Sequence, residues 1–282
     1  MQGKTVVITG ATSGIGEVAA DRLAQKGARI VFVARDEARG EATLKHLAAI
    51  APGAAHAVHY GDLSRLSEMK RVANDIAAAN EKIDVLINNA GAMFTARQET
   101  EDGLERTFAL NHMSYFVATN LLLDRLKAAG NARIVSTASD AHRTGRVNFD
   151  DLQSVRRYSA FGEYGNTKLM NILFTRELAR RLKETGSAVT ANCLHPGFVA
   201  TRFGDNNGGF TSFIFGAAKN FALTPEQGAQ TIIYLASSDA VEGKSGGYYT
   251  KCALATPTRA AQSAADAARL WAVSAKIAGL SG

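Results

Sequence analysis

Residues 4–16, KTVVITGATSGIG, pass from a β-branched strand pattern into a glycine-rich turn, and Val18, Ala19 and Leu23 then continue at helical spacing. Gly10, Gly14 and Gly16 are spaced G-x-x-x-G-x-G, not the G-x-G-x-x-G of the commoner dinucleotide fingerprint. Glycine at these places lets the chain reverse sharply and lets backbone N–H groups approach a pyrophosphate. The N-terminus of the following helix adds partial positive charge. A Gly-rich turn alone is weak, but between the first strand and first helix of an α/β chain it favours dinucleotide binding over a merely structural turn.

Outward from this turn, strand and helix patterns alternate. Buried strands are expected at Lys4–Thr9, Arg29–Val33, Ala55–Tyr60, Ile83–Asn88, Ala132–Ser136 and Ala188–Leu194. Helical patterns fill roughly 14–26, 37–49, 64–79, 101–128, 162–184 and 225–237. This order implies right-handed crossovers and a doubly wound, Rossmann-like parallel sheet covered on both faces. No linker or repeat interrupts it, so residues 1–282 are expected to form a single domain, with a cofactor-binding part over about 1–195 and a substrate part over 196–282. Residues 198–224, with Gly204, Gly208 and Gly209 and the apolar run after them, are expected to form a substrate lid rather than a poorly patterned core helix. The tail over 258–280 places Leu270, Trp271, Val273, Ile277 and Leu280 at helical spacing and reads as a packing helix.

Composition excludes other classes. Of 282 residues, 46% are hydrophobic and only 4 are Pro, which rules out collagenous and disordered chains and leaves a core large enough to need no staple. Cys193 and Cys252 read as reduced thiols, and no targeting segment, membrane anchor or spanning run is expected, so a cytoplasmic setting is. The net charge is +6, but the basic residues are scattered. That favours ordinary surface plus an anionic cofactor over a nucleic-acid partner.

The cofactor is read from the end of the second strand, residues 29–41, RIVFVARDEARGE. An acidic residue there would accept from the 2′-hydroxyl of NAD, whereas Arg accommodates the 2′-phosphate of NADP. Arg35 follows the strand directly, and Asp36 beside it reads as a helix N-cap, so NADP(H) is expected over NAD(H).

Tyr164 and Lys168 form a single Y-x-x-x-K and share one face of a helix. A nearby ammonium stabilises a phenolate, bringing a group with an ordinary pKa of about 10 towards neutral-pH proton transfer. Ser139, just past the fifth strand, can donate to a developing alkoxide. No metal-ligand spacing and no G-x-S-x-G hydrolase elbow occurs. His142 reads as a turn residue in preference to a substrate contact, and His195 as a hydrogen-bonded strand-end residue.

The ordered motifs TGATSGIG (9–16), INNAG (87–91), Asn111 in LNHMSYF, Ser139, Tyr164/Lys168 and HPGFVATRF (195–203) resemble the short-chain dehydrogenase/reductase family nearly end to end. VARDEARGE, NHMSYFVATNLLL, RIVSTASDAH, KLMNILFTRELARRL, TPEQGAQT, SGGYY and LWAVS are similar to its retinol-dehydrogenase-like branch. The resemblance implies an oxidoreductase that interconverts a ketone or aldehyde and an alcohol by hydride transfer. Tyr164 would be the general acid–base, Lys168 would bind the nicotinamide ribose and lower the tyrosine pKa, and Ser139 would position the substrate oxygen. Asn111 would hold a water linking Lys168 to solvent. For the cofactor it implies Gly10, Thr12, Ser13, Gly14, Ile15 and Gly16 around the pyrophosphate, Asp62 and Leu63 beside the adenine, and Asn89, Ala90 and Gly91 as the floor. Pro196, Gly197, Val199 and Thr201 would hold the carboxamide side, and Arg35 matches the basic residue for NADP. Two departures stand out: Ala138 replaces the first of the usual two serines, and Ser114 and Tyr115 stand where Gly and His are common. Phe94, Phe149, Phe161, Phe203, Phe210, Phe213 and Phe215 suggest an apolar small-molecule substrate, and a homo-oligomer is one assembly this permits. The alternative is a non-catalytic dinucleotide-binding sensor or scaffold.

Overall fold

Eight strands form one sheet in the order β3-β2-β1-β4-β5-β6-β7-β8 in the computed structural model, which describes residues 1–199 and 223–280. The first six strands are β1 (Thr5–Thr9), β2 (Arg29–Ala34), β3 (Ala57–Tyr60), β4 (Val85–Asn88), β5 (Arg133–Thr137) and β6 (Thr190–His195). They pair in parallel, and β7 (Tyr248–Thr250) extends the parallel run before β8 (Ala253–Ala255) returns antiparallel along the edge. The six β-branched runs thus become strands, with ends shifted by a residue or two. The last two strands carry only three residues each, too few for a periodic signal.

Both faces of the sheet are apolar, and side chains alternate between them. Val6, Ile8, Ile30, Phe32, Val85 and Ile87 pack under α1 (Gly14–Gln25) and α7 (Pro225–Ser237). Val7, Val31, Leu86, Ile134 and Cys193 pack under α3 (Leu66–Ala79), α5 (Ser114–Ala128) and α6 (Ala160–Glu184). Each such fully buried side chain contributes about 1.5–3 kcal/mol relative to exposure. α2 (Glu37–Ile50) is capped as expected, the Asp36 carboxylate accepting from the Arg39 N–H at 2.8 Å.

The helix expected over 101–128 begins later. Glu105 caps its first turn by accepting from the Phe108 N–H at 2.7 Å, so α4 (Arg106–Phe108) starts there. A π-helical turn, Ala109–Met113, then separates α4 from α5. The tail gives a short 3₁₀ turn, Ala260–Gln262, and then α8 (Ala264–Ala278), with Gly279 as its left-handed C-cap. Trp271 on α8 stacks on Phe174 of α6 with centroids 5.8 Å apart. The proposed lid falls largely on residues 200–222, outside the described residues. Its flanks meet, because Leu223 donates to the Phe198 carbonyl at 2.7 Å and Val199 bridges Leu223.

Candidate active site

Strand order reverses between β1 and β4, so the carboxyl ends of β1, β4, β5 and β6 open onto one crevice. The turn after β1 forms one wall. Gly10 and Gly14 have φ of 73° and 62°, in the left-handed region. A Cβ on Gly16 would lie 2.1 Å from the Gly10 carbonyl oxygen, so only glycine fits there. Ser13 precedes α1 without a side-chain capping bond, which leaves the first N–H groups of the helix to a ligand. This glycine cradle and uncapped N-terminus suit a dinucleotide pyrophosphate, with Thr12 and Ile15 in the same turn. Ile15 also meets the far side of the crevice: a Cβ on Gly228 would fall 2.8 Å from Ile15 Cγ2 and 2.5 Å from Val199 Cγ2.

The segment after β4 is tied to this turn. Thr9 Oγ1 accepts from the N–H groups of Asn89 and Ala90 at 2.9 and 3.0 Å, and Asn89 Nδ2 donates to the carbonyls of Thr9 and Gly10. Gly91 sits between Asn111 and Lys168, for a Cβ there would be 3.1 Å from Asn111 Oδ1 and 3.5 Å from Lys168 Nζ. Arg35 is exposed at the end of β2. Asp62 accepts from Ser64 N and Oγ, which turns the chain after β3, and Leu63 beside it is buried. Gly197, which follows Pro196 and precedes Val199 in the turn after β6, has φ 93°, and a Cβ there would lie 2.4 Å from Leu223 Cδ1. Thr201, Phe203, Phe210, Phe213 and Phe215 lie outside the described residues. Of the other phenylalanines, Phe94 is buried, Phe149 packs on the core and Phe161 is exposed.

Ser139, Tyr164 and Lys168 converge from two elements. Ser139 caps the short 3₁₀ helix Asp140–Arg143, and its hydroxyl accepts from the Ala141 N–H at 3.2 Å. The same hydroxyl faces the phenol of Tyr164 from α6 and favours its ionised form. Lys168, one turn further on, donates to the Thr137 carbonyl at 3.0 Å and holds its Nζ 5.4 Å from the centroid of the Tyr164 ring. Asn111, in the π-helical turn, donates to the Ala92 carbonyl at 2.9 Å and to Thr167 Oγ1 at 3.1 Å while accepting from the Ala92 N–H. A π turn of this kind widens the helix and recurs at functional positions.

Burial sets the electrostatics of the pair. Burial pushes the Tyr164 phenol up to about 12, opposed by the Ser139 hydroxyl beside it, and pushes Lys168 down to about 7. Both groups lose hydration, so each resists its charged form. In the chain by itself, desolvation dominates both groups.

Two residues at the site went unread in the sequence. The Thr137 carbonyl anchors both Lys168 and Asn171 Nδ2, and Thr9 holds two amides of the floor. Thr9 stands in the glycine motif itself, whereas a backbone carbonyl leaves no trace in residue type. No cluster of His, Cys, Asp or Glu among the described residues has the geometry to hold a metal ion. No helix among them is long and apolar enough to cross a membrane.

A family model for short chain dehydrogenases matches residues 4–209. Retinol dehydrogenase 12 of Mus musculus is 39% identical over 278 residues, covering 99% of this chain and 87% of the relative. Retinol dehydrogenase 13 of Homo sapiens is 39% identical over 284 residues, covering 99% and 85%. The crystal structure of an uncharacterised protein from Mycobacterium paratuberculosis superimposes with a TM-score of 0.80 at 34% identity, covering 99% of this chain and 94% of that one. A short chain dehydrogenase from Burkholderia cenocepacia, solved in complex with NADP, shares the fold at a TM-score of 0.69 and 24% identity, covering 88% and 96%. The glycine turn, the convergence of Ser139, Tyr164 and Lys168, and these likenesses along the whole chain agree: the protein is an oxidoreductase of the short-chain dehydrogenase/reductase family, in its retinol-dehydrogenase-like branch.

Proposed function

We propose that the chain interconverts an apolar ketone or aldehyde and the corresponding alcohol with NADP(H), Tyr164 acting as general acid–base. The observation that carries this reading is the convergence of Ser139 and Lys168 on the Tyr164 phenol, with Lys168 Nζ 5.4 Å from the ring centroid on the same helix face. A bound nicotinamide supplies the hydride in reduction and accepts it in oxidation. The Ser139 hydroxyl donates to the substrate oxygen and fixes it beside the phenol. Tyr164, kept protonated by burial, passes its proton to the developing alkoxide; in the reverse direction it takes the alcohol proton. Lys168 sits within reach of that phenol and of the crevice floor at Gly91, where the ribose would lie. Asn111 braces Ala92 against Thr167 and so holds the floor in register with α6.

For the cofactor, exposed Arg35 at the end of β2 supports NADP(H), while Asp36 beside it spends one carboxylate oxygen on the cap of α2. The Burkholderia relative is in complex with NADP, and a Brucella melitensis 3-ketoacyl-(acyl-carrier-protein) reductase of the same fold is complexed with NADH, so the preference rests on Arg35. An apolar substrate fits the names of the retinol dehydrogenases and the half-exposed rings of Phe161 and Phe198. The free thiols Cys193 and Cys252 fit a cytoplasmic setting.

The test is a panel of carbonyls and alcohols, retinal and retinol included, assayed in parallel with NADPH/NADP and NADH/NAD for the native chain and Tyr164→Phe. Turnover with NADPH that falls by orders of magnitude in the variant, while NADPH binding persists, supports the mechanism. Tight NADPH binding with no turnover of any substrate would make the chain a sensor or scaffold.

A further inference from the structure

The segment carrying Ser139 is gripped by two imidazoles. His195, at the end of β6, accepts the Asp140 N–H on Nδ1 at 3.1 Å. His142, fully buried, lies with Nδ1 2.7 Å from the Ser139 carbonyl oxygen and accepts the Thr258 N–H on Nε2 at 3.2 Å. A backbone N–H only donates and a carbonyl only accepts. The partners therefore dictate the protons: His142 carries one on Nδ1, His195 one on Nε2, and both rings are neutral. A second proton on either ring would set an N–H against a backbone N–H and break that contact.

We propose that His142 and His195 are positioning residues for Ser139, neutral acceptors whose protonation releases the turn that presents the serine hydroxyl to Tyr164. This role rests on the oxidoreductase reading above. The charged groups beside both rings are Asp140 and Arg143, themselves paired at 2.6 Å; Asp140 favours the imidazolium and Arg143 opposes it. His142 also opposes protonation of His195. From β7 the Tyr248 phenol meets His142 edge-on with centroids 5.2 Å apart, and the segment ahead of α8 contributes the uncharged Thr258. Burial dominates and holds both rings below their ordinary 6.5. The folded state thus prefers them neutral, so the two acceptor contacts are complete above pH 6.5 and are lost as pH falls through the lowered folded-state values of the rings, whereas the His142 Nδ1–H bond to the Ser139 carbonyl survives protonation.

The experiment follows kcat from pH 5 to 8 with NADPH and retinal, benzaldehyde or hexanal, for the native chain, His195→Asn and His195→Leu. Asn places an amide oxygen close to where Nδ1 sits, an acceptor that does not titrate in this range. Native kcat should fall below pH 6.5 while KM for NADPH stays level. His195→Leu should lower kcat at pH 7.5 by about 3- to 10-fold, the net worth of one hydrogen bond. His195→Asn should recover most of that loss and move the acid limb down. Ring nitrogen shifts of the native protein's six histidines, which need no turnover and no variant that folds, should show Nδ1–H at His142 and Nε2–H at His195 at pH 7.5. An acid limb unchanged in His195→Asn, or either ring cationic at pH 7.5, would overturn the proposal. Those ring states in a native chain that turns over no carbonyl with NADPH or NADH would support the histidine contacts and overturn the oxidoreductase reading instead.

Discussion

The Lys168 ammonium stands 5.4 Å from the centroid of the Tyr164 ring and is anchored from behind by the Thr137 carbonyl, so the two groups that define the chemistry share one dehydrated corner. Burying this lysine costs stability, since its pKa falls from 10.5 to about 7 on folding and the unfolded chain binds more protons between those values. Lys168→Met removes that cost together with the function. Turnover should drop by about 10²- to 10⁴-fold, while the melting temperature at pH 7.5 rises by several degrees. Steady-state kinetics and a thermal scan decide it. A variant that loses both activity and stability would make Lys168 a packing residue.

Gly16 is the tightest point of the phosphate-binding turn, with no room for a Cβ beside the Gly10 carbonyl and Asn89 Nδ2. Gly16→Ala should cost about 1–3 kcal/mol of overpacking and abolish measurable NADPH binding. Gly162→Ala is the matched control: its added Cβ meets only Ser159 at 3.4 Å, ordinary contact on the first turn of α6. That variant should be slightly stabilised, by about 0.5–1 kcal/mol. Calorimetric titration with NADPH and urea melts of the two variants provide the comparison.

Arg35 is exposed where β2 ends, with Asp36 turned into its cap. Arg35→Ser should raise KM for NADPH by about tenfold or more, the worth of charge-assisted bonds to a phosphate, and leave KM for NADH unchanged. Equal effects on both cofactors would place Arg35 away from the 2′-phosphate.

The six long strands and the glycine turn were legible because period, β-branching and turn chemistry agree locally over residues 4–16 and again at each later strand. β7 and β8 escaped because three residues carry no period. The Tyr164–Lys168 spacing was readable, yet the direction of their pKa shifts was not, since spacing reports proximity and the shifts come from burial. The His142–Thr258 contact joins residues 116 apart in the chain, and nothing near either one announces it. Glu105 likewise sets the start of a helix expected to begin earlier, through a cap made by a carboxylate that is itself buried.

Trp271, the chain's single tryptophan, ties α8 to α6. It stacks on Phe174, meets Phe116 edge-on at 5.0 Å and lies under the Arg181 guanidinium at 4.5 Å. Trp271→Ala should cost about 3–5 kcal/mol. Urea denaturation followed by far-ultraviolet circular dichroism tests this, the fluorophore being gone. A loss under about 1 kcal/mol would mean that the tail helix is not part of the cooperative core.

Glu163, next to Tyr164 and 2% exposed, accepts from Ser154 Oγ at 2.6 Å and Asn166 Nδ2 at 3.2 Å, while its Oε1 has no partner. Burial, with some repulsion from Glu105, raises this carboxyl from 4.5 to about 7. A raised folded-state pKa means stability that is whole below pH 4.5 and lost as pH climbs through 7. Glu163→Gln keeps an acceptor for Ser154 and never ionises. The variant should therefore match the native chain near pH 4.5 and exceed it at pH 8, by up to about 3 kcal/mol if the whole shift is expressed. Melting temperatures of the two proteins across pH 4.5–8 isolate this group, because every other titration is shared and cancels in the difference. Parallel curves would show that Glu163 is already ionised at pH 5 and that its buried oxygen is solvated.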